Sequence, residues 1–168
     1  MNPSIEILKN KKLFIFDMDG TVYLGNNVFP FAIDFINNLR KAGKKILFFT
    51  NNASRSPLTY LDRLAGMGFN PARDEIMTAG DVTAEFLIRN RKDKTVYLVG
   101  TPDLEANFKE RGIKLISGNE EKADVVLANL FSAVLVKAFA RLKAAMKPKN
   151  SILIISGILN SQAEETLA

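Results

Sequence analysis

Short apolar runs, each followed by a polar or glycine-containing turn and then by a stretch with helical spacing, set the rhythm of this chain. Lys12-Leu-Phe-Ile-Phe-Asp17 is a run of aromatic and branched residues ending in an acid, the pattern of a strand buried in a parallel sheet. Over residues 31–42 the apolar positions Phe31, Ile33, Phe35, Ile36 and Leu39 fit one helical face, and Gly43 is placed to stop it. Lys45-Ile-Leu-Phe-Phe-Thr50 repeats the strand pattern. Pro57 then opens a helix whose stripe is Leu58, Leu61, Leu64 and Ala65, closed by Gly66 and Gly68. The alternation predicts further helices over 81–90, 102–111 and 132–146, and strands over 95–99, 113–116, 124–128 and 151–155.

Strands alternating with helices imply right-handed crossovers and a parallel sheet covered on both faces. The expected architecture is α/β: a doubly wound, Rossmann-like three-layer sandwich in one domain spanning residues 1–168. Its expected strand order is 3-2-1-4-5, with the 12–17 strand central, so that the ligand crevice lies beside the end of that strand.

Composition narrows the chemistry more than the fold. The chain has no Cys and no His, which removes disulfides, thiol nucleophiles, imidazole bases and His-ligated zinc, and leaves carboxylates, Lys, hydroxyls and backbone amides. The formal charge of +5 comes from separated groups such as Arg40/Lys41/Lys44/Lys45 and Arg89/Arg91/Lys92/Lys94. Each follows a helical stretch, where cations complement the helix dipole, so no nucleic-acid partner is expected. The first residues do not read as a signal peptide and no apolar run approaches a transmembrane length, so a cytoplasmic protein without membrane contact is expected.

The chemistry-bearing segment is Asp17-Met18-Asp19-Gly20-Thr21. A carboxylate at the carboxyl end of a buried strand can attack a phosphoryl group, with Mg²⁺ screening the repulsion between the two anions. A second acid two residues on returns to the same side of an extended backbone and can protonate the leaving alcohol, then activate water. Thr50-Asn51-Asn52 at the end of the second strand adds a hydroxyl and amides suited to phosphate oxygens.

Phe16-Asp-Met-Asp-Gly-Thr-Val-Tyr-Leu-Gly25 and Phe48-Phe-Thr-Asn-Asn52 resemble the haloacid dehalogenase superfamily in its nitrophenylphosphatase-like branch, over residues 10–120 or so. The resemblance implies Asp17 as nucleophile, Asp19 as acid and base, both as magnesium ligands (Asp19 through its carbonyl), and Thr50 with Asn51 as phosphate binders. It implies phosphate or a small phosphorylated molecule as ligand. Two positions depart from the pattern: Phe31 stands where such sequences carry Gly, and Ala53 where they carry Ser. The resemblance also implies a later Lys, an acidic pair completing the magnesium shell, and a cap domain. No Gly-Lys-Pro or Gly-Asp-x-x-x-Thr-Asp segment follows Thr50, and the cap is expected to be absent. In the expected strand order Asn129 occupies the place of a metal-binding Asp beside the crevice, which predicts weakened magnesium binding.

Ala123-Asp-Val-Val-Leu-Ala-Asn-Leu130, Leu142-Lys-Ala-Ala-Met-Lys-Pro148, Ile152-Leu-Ile-Ile-Ser-Gly-Ile-Leu159 and Gln162-Ala-Glu-Glu165 resemble a second family, the class I ribosomal-protein lysine methyltransferases, over 121–168. Lys147-Pro148-Lys149-Asn150 departs from that family's Lys-Pro-Gly-Gly turn. The glycine loop and acid that hold S-adenosylmethionine there are replaced here by phosphatase motifs, so donor binding is not expected. Together the two resemblances lead to the expectation of an engineered or recombined chimera, joined within 118–122, ending like an excised fragment and lacking an evolved activity. The alternatives are residual magnesium-dependent phosphohydrolysis and a weak nucleotide or methyl-donor binding module. Self-association is expected from exposed strand edges.

Overall fold

The computed structural model describes residues 3–117, 121–130 and 132–158. The chain divides into two compact units, Met1–Asn51 with Pro57–Ala79, and Asn52–Ser56 with Gly80–Ala168.

The first unit runs α1 (Pro3–Lys9), β1 (Leu13–Phe16), a hairpin of β2 (Tyr23–Leu24) and β3 (Asn27–Val28), α2 (Ala32–Lys41), β4 (Lys45–Thr50), α3 (Pro57–Gly66) and β5 (Ile76–Thr78). β1, β4 and β5 form a parallel sheet with β4 in the middle. Register sets Phe14 beside Ile46, and Phe16 beside Phe48, which in turn sits beside Ile76. These side chains share one face because aligned residues of parallel neighbours point the same way. That face builds the core with Ile36 from α2, Leu64 from α3 and Phe69. Arg40 in the last turn of α2 makes a two-armed contact with Glu75 and also donates to the Phe69 carbonyl (2.7 Å), fixing the chain that enters β5. On the opposite face Leu13, Ile15 and Met77 remain 48%, 58% and 38% exposed. The outer edge of β1 pairs with no strand among the described residues.

The second unit contains α4 (Ala79–Asn90), β6 (Val96–Val99), α5 (Pro102–Glu110), β7 (Val125–Asn129), α6 (Ser132–Ala145) and β8 (Ile152–Ser156). Its sheet is also parallel, in the order β6-β7-β8. Both faces are covered, as the uninterrupted apolar run of β7 requires. Val125 and Leu127 pack with Ala84, Leu87, Leu104 and Phe108. Val126 and Ala128 pack with Leu135, Leu142 and Ala145. Thr101 caps α5, its hydroxyl accepting from the Leu104 amide, and Pro102 occupies the first helical position. At the start of β7, Asp124 accepts from the amide and hydroxyl of Thr95 (both 2.9 Å) and from Lys147 (2.8 Å).

The parallel α/β character is therefore as expected, but the strand order 3-2-1-4-5 is corrected. A strand has two edges, and both edges of β7 are taken, by β6 and β8. It is thus not the neighbour of β1. Likewise β4 lies between β1 and β5, not between β1 and the 95–99 strand. The expected strand over 113–116 reduces to one bridge, Leu115 with Val96. Residues 118–120 and 159–168, which hold most of the expected junction and the Gln162–Glu165 motif, lie outside the described residues. Among the described residues no helix is long and apolar enough to cross a membrane.

Candidate functional site

The site in the first unit grows from the chain reversal after β1. Met18 is fully buried, and its carbonyl is approached by three successive amides, those of Thr21 (3.2 Å), Val22 (3.0 Å) and Tyr23 (3.4 Å). Such convergence on one acceptor needs a tight turn. Gly20 supplies it at φ +81°, a left-handed conformation that side-chain-bearing residues rarely adopt, and its amide donates to the Tyr23 carbonyl at 2.7 Å.

With Met18 pointing inward, its neighbours Asp17 and Asp19 are both exposed. The Met18 amide donates to Asp17 Oδ1 at 2.8 Å, and the Gly25 amide to Asp19 Oδ1 at 3.3 Å. Each carboxylate is thus oriented by one backbone donor through Oδ1. Phe16 aligns with Phe48, so Asp17 and Asp19, which follow β1, and Thr50 and Asn51, which end and follow β4, lie at the carboxyl ends of two paired strands. Thr50 is buried, in register with Thr78, and Asn51 is exposed.

Arg63 of α3 is a member of this neighbourhood that the sequence reading missed. Its guanidinium lies 5.1 Å from the centroid of the Tyr23 ring and donates to the Gly25 carbonyl at 2.6 Å, pinning the hairpin that holds Asp19. Its Nε is buried without a hydrogen-bond partner. Burial pushes the Tyr23 hydroxyl pKa up, against the opposing pull of the Arg63 cation. A signal existed: Arg63 lies three residues after the buried Tyr60, on the inward face of α3.

Asn129 belongs to the second unit. At the end of β7 its Oδ1 accepts from the Ser156 hydroxyl at 3.1 Å, and both line a narrow cavity of about 40 Å³ with Ala53 and Thr83, enough for a water or so. The pairing of β7 with β1 that motivated placing it beside the Asp17 strand is not the one the sheets have. Gly157 follows at φ +90°, where a Cβ would come within 2.8 Å of the Leu130 carbonyl, so the Ser156-Gly157 pair is needed for the close passage of two chain segments. Of the two departures, Phe31 is exposed and precedes α2 without giving it a side-chain cap, and Ala53 is buried.

The family description of haloacid dehalogenase-like hydrolases matches residues 14–114, more than half of the chain. The chain belongs to this family. A second description, ribosomal protein L11 methyltransferase, matches residues 88–168, so the likeness read from the 121–168 segment is also found. The 5'-nucleotidase YutF of Bacillus subtilis is 29% identical over 133 residues, which make up 79% of this chain and 51% of that protein. The crystal structure of a 4-nitrophenylphosphatase from Thermotoga maritima superposes with a TM-score of 0.71 at 34% identity, covering 83% of this chain and 51% of that one. A glycerol phosphate phosphatase from Mycobacterium tuberculosis, solved in complex with magnesium, gives a TM-score of 0.61 at 29% identity over 68% of this chain and 34% of that chain. This haloacid dehalogenase-like chain spans about half the length of the curated relatives it matches.

Proposed function

We propose that the Asp17–Asp19 turn is the nucleophile-bearing part of a magnesium-assisted phosphohydrolase that acts on small phosphorylated molecules. The observation that carries this reading is the pair of exposed, backbone-oriented carboxylates just after β1, the strand paired with the one that ends in Thr50. A free Asp17 oxygen attacks phosphorus, and its new O–P bond forms as the ester O–P bond breaks in line. Asp19 gives its proton to the departing alkoxide and takes one from the water that then opens the aspartyl-phosphate, releasing phosphate and restoring Asp17. Thr50 and Asn51 supply donors to the non-reacting phosphoryl oxygens.

Magnesium suits the donors present only in part. Asp17 and the Asp19 carbonyl are hard oxygen ligands of the right type, and a Mg²⁺ ion held by few protein groups keeps several waters. Among the described residues, no cluster of three acidic side chains completes the set. When bound, the ion would neutralise charge between the attacking carboxylate and the phosphoryl group.

The second unit has its own parallel sheet and its own cores, and the phosphatase structures extend into it. This supports reading it as a separately folded, cap-type domain in preference to a continuation of the nucleophile-bearing sheet. A second reading is a recombined chain without evolved activity, favoured by the methyltransferase match over 88–168, which overlaps the 14–114 match. A cytoplasmic location fits both readings, and self-association through the uncovered face at Leu13, Ile15 and Met77 fits the second.

Hydrolysis of 4-nitrophenyl phosphate separates the two readings. Under the phosphohydrolase reading, turnover depends on added Mg²⁺ and falls to background in Asp17→Asn purified identically. Equal rates in the two proteins, or rates indifferent to Mg²⁺, would remove the enzyme and leave the recombined chain.

A further inference from the structure

The second unit carries a concave site that the phosphatase chemistry does not use. A cavity of about 510 Å³ opens where α4 and α5 end and β6 begins. That volume lies within the range of small-molecule sites, roughly 300–1,000 Å³. Five cationic side chains line it, Arg91, Lys92, Lys94, Arg111 and Lys114, against a single carboxylate, Asp93.

The bland explanation is that these cations compensate the negative ends of two helices. The terminal carbonyls of both helices already have hydrogen-bond partners, so the lysines are not needed as caps. The carbonyls ending α4 are met by the Arg91 amide on Leu87 and the Asn90 side chain on Phe86. Those ending α5 are met by the amides of Gly112 on Lys109 and Ile113 on Phe108. Arg91 reaches back to the Asn90 carbonyl only at 3.5 Å, and no lysine of the group caps either helix among the described residues.

The five cations also divide by how they are held. Arg111 is fixed by the buried Asp81, and Lys94 approaches Asp124 at 3.9 Å. Arg91, Lys92 and Lys114 have no carboxylate partner among the described residues. The site thus combines one pre-positioned guanidinium with three cations that have no carboxylate partner among the described residues, against the one carboxylate of Asp93 in the same lining. Guanidinium forks and lysine point charges together match phosphate oxygens. Ile88, 41% exposed, and Ile113 offer an apolar wall for an organic group.

We infer that this cavity is a binding site for a small, multiply charged phosphate compound, distinct from the Asp17 turn. The inference goes beyond the proposed phosphohydrolase and does not rest on it, because it needs neither magnesium nor turnover.

Inorganic pyrophosphate, titrated calorimetrically with EDTA present and against chloride at matched ionic strength, tests it. One site is expected per chain, with the same affinity in Asp17→Asn. In Lys92→Gln/Lys114→Gln, affinity should drop about tenfold or more, the equivalent of one lost charge-assisted contact. Arg91→Gln is the second probe, should the double variant lose its native circular dichroism. The inference is overturned by absence of binding, by binding lost in Asp17→Asn, or by affinity unchanged in a folded cavity variant.

Discussion

Phe48→Ala is expected to destabilise the protein by about 3–5 kcal/mol, the range for emptying a large buried ring site. Phe48 has no exposed surface. Its ring meets Phe69 edge-on at 5.7 Å and Phe16 at 6.5 Å between centroids. It also sits on β4, whose backbone is bonded on both sides, so the strand is not free to move inward and fill the space. Leu58→Ala, at a position 52% exposed on α3, should cost about 0.5 kcal/mol or less. Urea unfolding of both variants provides the comparison, and a Phe48→Ala loss no larger than that of Leu58→Ala would show that the core is not organised around β4.

Asp124→Ala is the second large effect, with an expected cost of about 2–4 kcal/mol, because truncation strands the donors of Thr95 and the Lys147 cation around a mostly buried point. Asp124 is 15% exposed and joins the start of β6, the start of β7 and the segment entering β8. Its carboxyl is held far below the ordinary carboxylate range, first by the hydrogen bond from Lys147 and next by that from the Thr95 amide, with desolvation opposing. The depressed native pKa means that the unfolded chain binds the proton more readily. The stabilisation is complete above the unfolded value of about 3.9 and disappears as pH falls from there through the native value. Asp124→Asn should therefore be less stable than the parent at neutral pH and lose less on acidification. Urea midpoints measured from about pH 6 down to about pH 3 will show this; parallel curves for the two proteins would exclude Asp124 as the acid-sensitive point.

Local patterns carried most of the fold. The expected 31–42 helix appears as α2, the 45–50 run is β4, and Pro102 begins α5 as its position predicts. These elements announce themselves through periodicity and caps contained in their own residues. β5 does not: Ile76-Met-Thr78 is three residues long, too short for any period. Strand adjacency was illegible for a different reason. An apolar run such as Val125-Val-Leu-Ala says that both faces are covered but not which strand lies alongside, and β7 pairs with β6 and β8 in place of the β1 neighbour expected from strand order.

The candidate site divides in the same way. Asp17 and Asp19 were legible because alternation about a buried Met18 fixes their common exposure. Asn129 depended on a strand order that the sheets do not have. Arg63 escaped notice because its role is to hold Tyr23 and the Gly25 carbonyl, contacts between segments far apart in sequence.

The position of β4 between two bonded neighbours, and of β7 likewise in the other sheet, has a consequence for the amide protons. In a parallel strand, successive N–H groups point alternately to the two sides. All interior amides of a central strand are therefore hydrogen-bonded within the sheet, whereas β1 leaves every second one facing outward from the edge that pairs with no strand among the described residues. Deuterium should enter β1 quickly at alternate residues and reach β4 and β7 last, leaving two islands of slow exchange, one in each unit.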